Sequence, residues 1–169
     1  KALIATASAC DYDARLLRAV EDVNEQQKLV MFDKLMARFD GNIDGKTFAL
    51  WGLSFKPNTD DMREAPSRVL MERIFEHGGQ VRAYDPVAMS EARHLYPDEK
   101  RLTLMGTALD AVEGADALLI NTEWREFRSP DWDRVKSSLV KPIVIDGRNI
   151  YDPRVMRQQG IDYQCIGRP

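Results

Sequence analysis

Apolar residues between positions 11 and 40 recur at the spacing of a single helix face. The stripe consists of Leu16, Val20, Val23, Val30, Leu35 and Phe39, and this periodicity predicts one amphipathic helix. Asp11 or Asp13 stands where a side chain caps the start of a helix. Asn24 and Gln27 interrupt the stripe, so its middle is not a simple apolar seam. A helix of about 28 residues is ~42 Å long, which exceeds the diameter of a small domain.

A helix of this length needs another surface to cover its apolar side. Residues 11–40 therefore form a connector to another domain or the interface of a homodimer; a helix lying across its own domain is the alternative. Upstream, residues 2–5 carry an uncapped helical pattern directly after Lys1. We interpret the sequence as a piece of a longer chain, in which 1–40 belong to a helical segment and 41–169 to a separate domain.

Short apolar runs and helical patterns alternate after a turn-rich break at 41–45. The predicted strands are 47–53, 80–84, 102–104, 116–121, 142–146 and 163–166, and the predicted helices are 66–76, 89–95, 108–113, 132–139 and 153–159. Nearly continuous apolar strands that alternate with helices indicate a parallel sheet covered on both faces. The predicted fold class is α/β, a Rossmann-like doubly wound parallel sheet preceded by a long α-helix.

Charge and composition exclude several classes of function. The 24 Lys and Arg residues against 27 Asp and Glu give a net charge of −3, whereas a nucleic-acid surface is normally basic. We therefore expect no nucleic-acid partner. The longest apolar runs are far shorter than the roughly 18 residues of a membrane span, and no secretion leader is visible. We expect a cytoplasmic protein with no membrane partner.

The cysteine and histidine residues do not form a recognisable reactive group. Cys10 and Cys165 lack metal-ligand spacing and are interpreted as core or incidental thiols. His77 precedes a Gly-Gly helix stop, and His94 lies in a polar helix; neither is placed beside a nucleophile. The sequence therefore predicts no metal site and no catalytic residue.

Three loops leave the carboxyl ends of strands, which is where doubly wound sheets bind ligands. These loops are 54–66, 122–128 and 147–151, and they can converge because the first and fourth strands flank the switch point. The first loop lacks the G-x-G-x-x-G pattern that cradles a pyrophosphate. Lys56 and Arg63 would instead supply side-chain charge to a phosphate, beside the flat face of Phe55.

Arg148 adds a basic group in the third loop, directly after Gly147. Basic residues from separate loops at one crevice indicate an anionic ligand, although such residues are also commonly solvated or ion-paired on a surface. Trp124, in the remaining loop, is interpreted as structural. The residues alone therefore predict a phosphate-binding α/β module with no catalytic machinery in view.

A family signature runs through the same loops. Residues 52–67 read GLSFKPNTDDMREAPS, and they are followed in order by YDP at 84–86, TEW at 122–124 and DGRN at 146–149. This series resembles the C-terminal, UDP-binding domain of the UDP-glucose/GDP-mannose dehydrogenase family. The upstream VNE at 23–25 is similar to the central helical segment of that family.

The resemblance implies an oxidoreductase that converts the C6 alcohol of a nucleotide sugar to a carboxylate while two NAD molecules are reduced. Phe55, Lys56 and Arg148 match family positions that bind the nucleotide sugar. Arg63 matches an arginine that reaches NAD across the domain cleft. The details of the loops are most similar to family members that use UDP-glucose, and UDP-N-acetylmannosamine and GDP-mannose remain alternatives.

The resemblance also sets a limit. The catalytic cysteine of the family, its general-base lysine and its N-terminal NAD domain match no part of this sequence, and Cys10 does not match the catalytic position. We therefore expect that the chain alone does not turn over substrate. A dimerisation module without independent ligand binding, and a complete small enzyme, are the alternative functions.

Overall fold

The computed structural model describes residues 2–168, and the expectation attached to Lys1 lies outside them. The chain begins with helices α1 (Ala2–Ala9) and α2 (Arg15–Arg38). The elements that follow are β1 (Thr47–Trp51), α3 (Pro66–Glu76), β2 (Gln80–Tyr84), α4 (Met89–Leu95), β3 (Leu102–Leu104), α5 (Ala108–Val112), β4 (Ala117–Ile120), a 3₁₀ turn (Arg125–Arg128), α6 (Trp132–Ser138), β5 (Ile143–Asp146), α7 (Pro153–Gln158) and β6 (Asp162–Cys165).

The six strands form one parallel sheet in the order β3-β2-β1-β4-β5-β6. The strand order reverses between β1 and β4, so the switch point of the doubly wound topology lies there. The predicted fold class is confirmed, including the long helix before the sheet.

Side chains of the central strand β1 alternate between two apolar layers. Phe48 and Leu50 pack with residues of α2, α3 and α4 on one face of the sheet. Ala49 and Trp51 pack on the other face with residues of α5, α6, α7 and the 3₁₀ turn. Each face of the sheet is thus covered by helices, as the continuous apolar strands predicted.

Most predicted element bounds agree with the structure to within one or two residues, but the start of α2 does not. The prediction that Asp11 or Asp13 caps this helix is wrong: the capping position is Ala14, and no side chain caps it. Asp13 instead accepts a bond of 2.9 Å from Nε of Arg15. Asp11 lies in the turn after α1 with φ 53°, so it cannot take the extended backbone of a capping residue.

Helix α2 divides into two halves with different surroundings. In its second half, Met31, Phe32 and Leu35 are buried in the core. In its first half, Leu16, Val20 and Val23 remain 77%, 51% and 62% exposed. The second half of the helix therefore lies across its own domain, whereas these three apolar side chains of the first half stay uncovered within residues 2–168. The predicted boundary after residue 40 stays a prediction.

Within residues 2–168, the structure contains no helix with the length and apolar character needed to cross a membrane.

Replacement of Gly52 by alanine is expected to lower the free energy of unfolding. Backbone strain alone accounts for about 1–3 kcal/mol, because φ at Gly52 is +92°. An added Cβ would also lie 2.7 Å from the backbone nitrogen of Thr122. Gly114→Ala is the matched control, since Gly114 has φ +70° but open space around the Cβ position. Urea denaturation should show a larger loss for Gly52→Ala than for Gly114→Ala; equal losses would contradict the close approach to Thr122.

Candidate functional site

Hydrogen bonds bring the first two predicted loops together at the switch point. Gly52 donates to the carbonyl of Tyr84, and Asn121 donates to the carbonyl of Trp51, each at 2.9 Å. The hydroxyl of Thr122 then donates to the carbonyl of Ser54 at 2.6 Å, joining the second loop to the first. The predicted convergence is confirmed for these two loops.

The buried carboxylate of Asp85 links the first two loops to the end of β2. Its Oδ2 accepts the backbone N–H of Leu53 at 2.7 Å and the indole N–H of Trp124 at 3.0 Å. Its Oδ1 accepts the backbone N–H groups of Val87 and Ala88 at 2.9 and 2.8 Å. Trp124 is therefore a structural residue, as predicted, and one side chain fixes three segments at once.

These donors determine the charge state of Asp85. Burial by itself raises the pKa of this carboxyl group, but hydrogen bonds from the backbone N–H groups of Ala88, Val87, Leu53 and Ser54 outweigh it. The pKa therefore lies below its ordinary value of 3.8, and the ionised form is the one that the fold stabilises.

Arg148 joins the third loop to the other two. Its Nε donates to the carbonyl of Asn121 at 2.7 Å, and one Nη donates to the carbonyl of Phe55 at 3.0 Å. Nε also lies 3.2 Å from the carboxylate of Glu123. Contacts with two other loops hold the plane of the guanidinium group at the carboxyl ends of β1, β4 and β5.

A second buried carboxylate, that of Asp146, sets the direction of the third loop. Its Oδ1 accepts the backbone N–H of Arg148 at 2.7 Å. Its Oδ2 accepts the N–H of Ile150 at 2.8 Å and the hydroxyl of Tyr163 at 2.7 Å. Burial, followed by this bond to Asp146, raises the pKa of Tyr163, so the phenol keeps its proton and remains a donor.

A cleft of about 430 Å³ lies between helix α2 and these loops. The loops contribute Phe55, Asn121, Gly147 and Arg148 to its lining. A Cβ at Gly147 would collide with the sulfur of Met31 on α2, so the absence of a side chain lets the helix approach the sheet. The cleft has the volume of a site for a small ligand.

Helix α2 supplies the opposite wall, which the sequence reasoning missed. Asn24, Gln27 and Lys28 are among the lining residues from this helix. The signal was present in the sequence, because Asn24 and Gln27 are the residues that interrupt the apolar stripe. A polar break in a helix face has several explanations, and only the packing of α2 against the loops shows which one applies here.

Lys28 connects the two walls of the cleft. Its ammonium group lies 2.9 Å from the carboxylate of Glu25 on the same helix and 3.0 Å from that of Glu64 in the first loop. Burial lowers the pKa of Lys28, but the two carboxylates more than offset this, and the pKa is raised from its ordinary value.

Two of the four predicted site residues lie outside the lining of this cleft. Lys56 is exposed in the same loop as Phe55, and Arg63 is exposed and holds both oxygens of Asp61. The bonds from Arg63, with a smaller contribution from the charge of Lys56, lower the pKa of Asp61 to about 2. The structure brings Phe55 and Arg148 together at the cleft. Lys56 and Arg63 lie on the same loop as Phe55 but do not line the cleft.

The remaining residues singled out in the sequence lie away from the cleft lining. His77 is the residue that follows α3, and His94 lies in α4. Cys10 is exposed, and Cys165 is buried in β6. Within residues 2–168 there is no group of three or more His, Cys, Asp or Glu side chains placed to hold a metal ion.

A cleft of this kind at the switch point of a doubly wound sheet defines a nucleotide-binding type of α/β domain. Residues 49–153 match the UDP binding domain of the UDP-glucose/GDP-mannose dehydrogenase family. The chain belongs to this family.

Proteins of known identity are similar in sequence to this chain over its whole length. The UDP-glucose 6-dehydrogenase of Pseudomonas aeruginosa is 49% identical over 172 aligned residues, which cover 100% of this chain and 38% of the relative. A UDP-glucose dehydrogenase from the archaeon Pyrobaculum islandicum has a similar structure, with a TM-score of 0.78 at 26% identity over 97% of this chain and 34% of that one.

A UDP-D-ManNAc dehydrogenase from Pyrococcus horikoshii is also similar, with a TM-score of 0.74 at 28% identity over 96% of this chain and 36% of that one. The chain thus spans little more than a third of the length of these proteins.

Replacement of Asp85 by asparagine is expected to lower the free energy of unfolding by about 3 kcal/mol, since the charged acceptor of several buried donors is lost. Asp152→Asn is the matched control, because Asp152 also precedes a proline but is exposed and caps α7, where asparagine serves equally well. Chemical denaturation at neutral pH measures both. A loss for Asp85→Asn no larger than for Asp152→Asn would contradict the organising role of Asp85.

The same carboxylate predicts a share of the acid sensitivity of the fold. Because the pKa of Asp85 is lowered on folding, its contribution to stability is complete above its ordinary value of 3.8 and disappears as the pH falls through the lower folded value. The free energy of unfolding of the wild-type chain should therefore fall more steeply than that of Asp85→Asn as the pH drops from about 5 to about 2. Parallel slopes would show that Asp85 does not titrate with unfolding.

Proposed function

We propose that the chain is the UDP-binding portion of a UDP-glucose 6-dehydrogenase, which binds the nucleotide of UDP-glucose during NAD-dependent oxidation to UDP-glucuronate. The observation that carries this proposal is the convergence of Phe55 and Arg148 on one cleft at the switch point. The 49% identity to the Pseudomonas aeruginosa enzyme over the whole chain supports the choice of substrate.

Arg148 is the central anion-binding group in this proposal. Its Nε and one Nη are held by carbonyl oxygens of neighbouring loops. The residue lines the cleft, and its guanidinium group has further N–H donors for a ligand. A guanidinium group that is fixed in this way suits an oxygen of the diphosphate or of the sugar, because little side-chain freedom is lost on binding.

Phe55 and Lys56 act beside Arg148 in the same proposal. Phe55 lines the cleft with 47% of its surface exposed, so it offers an apolar face to a ring of the ligand. Lys56 lies next to it and is exposed on the surface. Its flexible ammonium group can reach a phosphate at the mouth of the cleft as a point charge.

Arg63 is proposed to contact NAD, the hydride acceptor of the reaction. Its guanidinium group is held by Asp61 on the surface of the first loop and is accessible to another domain. The loop after β1 has only Gly52 of the glycines that cradle a pyrophosphate, so these 169 residues supply a side-chain contact to NAD rather than its main site. We expect no turnover by the chain alone, because the catalytic cysteine and the NAD domain of the family match no part of this sequence.

Two other functions remain alternatives. The structural similarity to the UDP-D-ManNAc dehydrogenase, and the breadth of the family, favour an equivalent portion of an enzyme for UDP-N-acetylmannosamine or GDP-mannose as the second candidate. A dimerisation module without independent ligand binding is the third. The cytoplasmic location stays a prediction from the sequence.

A homodimer through residues 11–40 also belongs to the proposal. Leu16, Val20 and Val23 form an exposed apolar row on the first half of α2, and such a row favours burial against a second copy. We expect the chain to dimerise in light scattering at high concentration, and Val20→Lys with Val23→Lys to shift it to monomer without loss of the folded domain. A monomeric wild-type chain would contradict this element of the proposal.

Calorimetric titration with UDP, GDP and UDP-glucose tests the nucleotide site. Binding of UDP and UDP-glucose should exceed that of GDP, and Lys56→Ala should weaken it about tenfold, as expected for loss of one charged contact to phosphate. Lys100→Ala is the matched control, because Lys100 is also exposed but precedes β3, at the opposite ends of the strands. Equal affinities for Lys56→Ala and Lys100→Ala would reject the role of Lys56; preference for GDP would reject the choice of base.

A further inference from the structure

The side-chain amide of Asn121 is buried without a hydrogen-bond partner. The residue is 2% exposed, and its Nδ2 forms no hydrogen bond within residues 2–168. Buried donors are paired in the great majority of native structures. An unpaired buried amide therefore requires an explanation of its own.

The position of Asn121 is fixed through its backbone. Its N–H donates to the carbonyl of Trp51 at 2.9 Å, and its carbonyl accepts Nε of Arg148 at 2.7 Å. The residue directly follows β4, beside the switch point. The side chain is thus placed by groups on both sides of it, although its own amide contributes no bond to that placement.

Asn149 provides a contrast within the same set of loops. Its Nδ2 donates to the carbonyl of Ile166 and its Oδ1 accepts the N–H of Ile166, each at 2.9 Å. That amide ties the third loop to the segment after β6, so its role is structural. Asn121 lacks such a partner, and unlike Asn149 it lines the cleft.

We propose that Asn121 is a ligand-binding residue whose Nδ2 donates a hydrogen bond to an oxygen of the sugar diphosphate at the floor of the cleft. The inference rests on the proposed function and adds a residue to it. Asn121 and Arg148 both line the cleft, and the carbonyl of Asn121 accepts Nε of Arg148, so the two residues lie at the same part of the cleft. A neutral donor beside a cation suits an acceptor oxygen, either of the diphosphate or of a sugar hydroxyl.

The test compares Asn121→Leu and Asn121→Asp with the wild-type chain. Leucine has nearly the shape of asparagine without its polar atoms, and aspartate keeps the shape but replaces the donor with an acceptor. Asn42→Asp is the matched control, because Asn42 is exposed before β1, far from the cleft, and an aspartate there still accepts the N–H of Asp44. Thermal unfolding without ligand and titration with UDP and with UDP-glucose are measured for each.

Thermal stability and ligand affinity are expected to respond differently to the substitutions. Asn121→Leu should leave thermal stability without ligand unchanged or higher, since no bond is lost, and should weaken UDP-glucose binding about tenfold. Asn121→Asp should weaken it by more than that, because the new charge repels the diphosphate, and Asn42→Asp should bind normally. A loss seen with UDP as well assigns the oxygen to the nucleotide diphosphate, whereas a loss confined to UDP-glucose assigns it to the sugar.

Two-dimensional NMR of the wild-type chain gives a readout that does not depend on the folding of a variant. The side-chain NH₂ signals of Asn121 should shift on titration with UDP-glucose, and they are identified by their absence in either substitution at position 121. Normal affinity in Asn121→Leu, or loss of stability in that variant without ligand, would overturn the inference alone. A wild-type chain that binds neither UDP nor UDP-glucose at millimolar concentration would reject the proposed function and this inference with it.

Discussion

The carboxylate of Asp85 is the interaction on which the site depends. It lies buried at the end of β2, yet its partners come from the loop after β1, the loop after β4 and its own turn. A buried charge is tolerated only when its hydrogen-bonding capacity is filled. The fold meets this requirement by drawing the backbone of Leu53 and Ser54 and the indole of Trp124 to one point, which also brings the loops together at the switch point.

Asp146 has the corresponding role at the end of β5. It binds the backbone of its own loop and the hydroxyl of Tyr163 from the edge strand, and so it determines where Arg148 leaves β5. The guanidinium group of Arg148 then returns to the first two loops through Phe55 and Asn121. Two buried acids and one arginine therefore account for the arrangement of three loops that are far apart in sequence.

The strands and most helices could be predicted because the sequence marks both their interiors and their ends. The strand 80–84 has apolar residues bounded by Gly79 and Pro86, and α3 has Pro66 in its first turn and Gly78 after its end. The start of α2 could not be predicted, because Asp11 and Asp13 were both suitable capping residues by type. The turn after α1 places Asp11 in a left-handed conformation and leaves Asp13 to pair with Arg15, and no local pattern encodes that choice.

The sequence placed Phe55 and Arg148 in loops at the carboxyl ends of strands, and the structure has both residues in the lining of the cleft. The wall from α2 could not be predicted, because it depends on packing between segments that are far apart in sequence.

Helix α2 has a wider consequence, because a single element lies in two environments. One side of it, which includes Asn24, Gln27 and Lys28, forms a wall of the cleft, and Lys28 joins it to Glu64 of the first loop. The apolar row of Leu16, Val20 and Val23 near its start stays exposed. If occupancy of the cleft changes the orientation of α2, then any contact made by this exposed apolar row changes the affinity of the cleft by some factor. Thermodynamic reciprocity requires the ligand to change the affinity of that contact by the same factor. A single helix can therefore couple ligand binding to assembly.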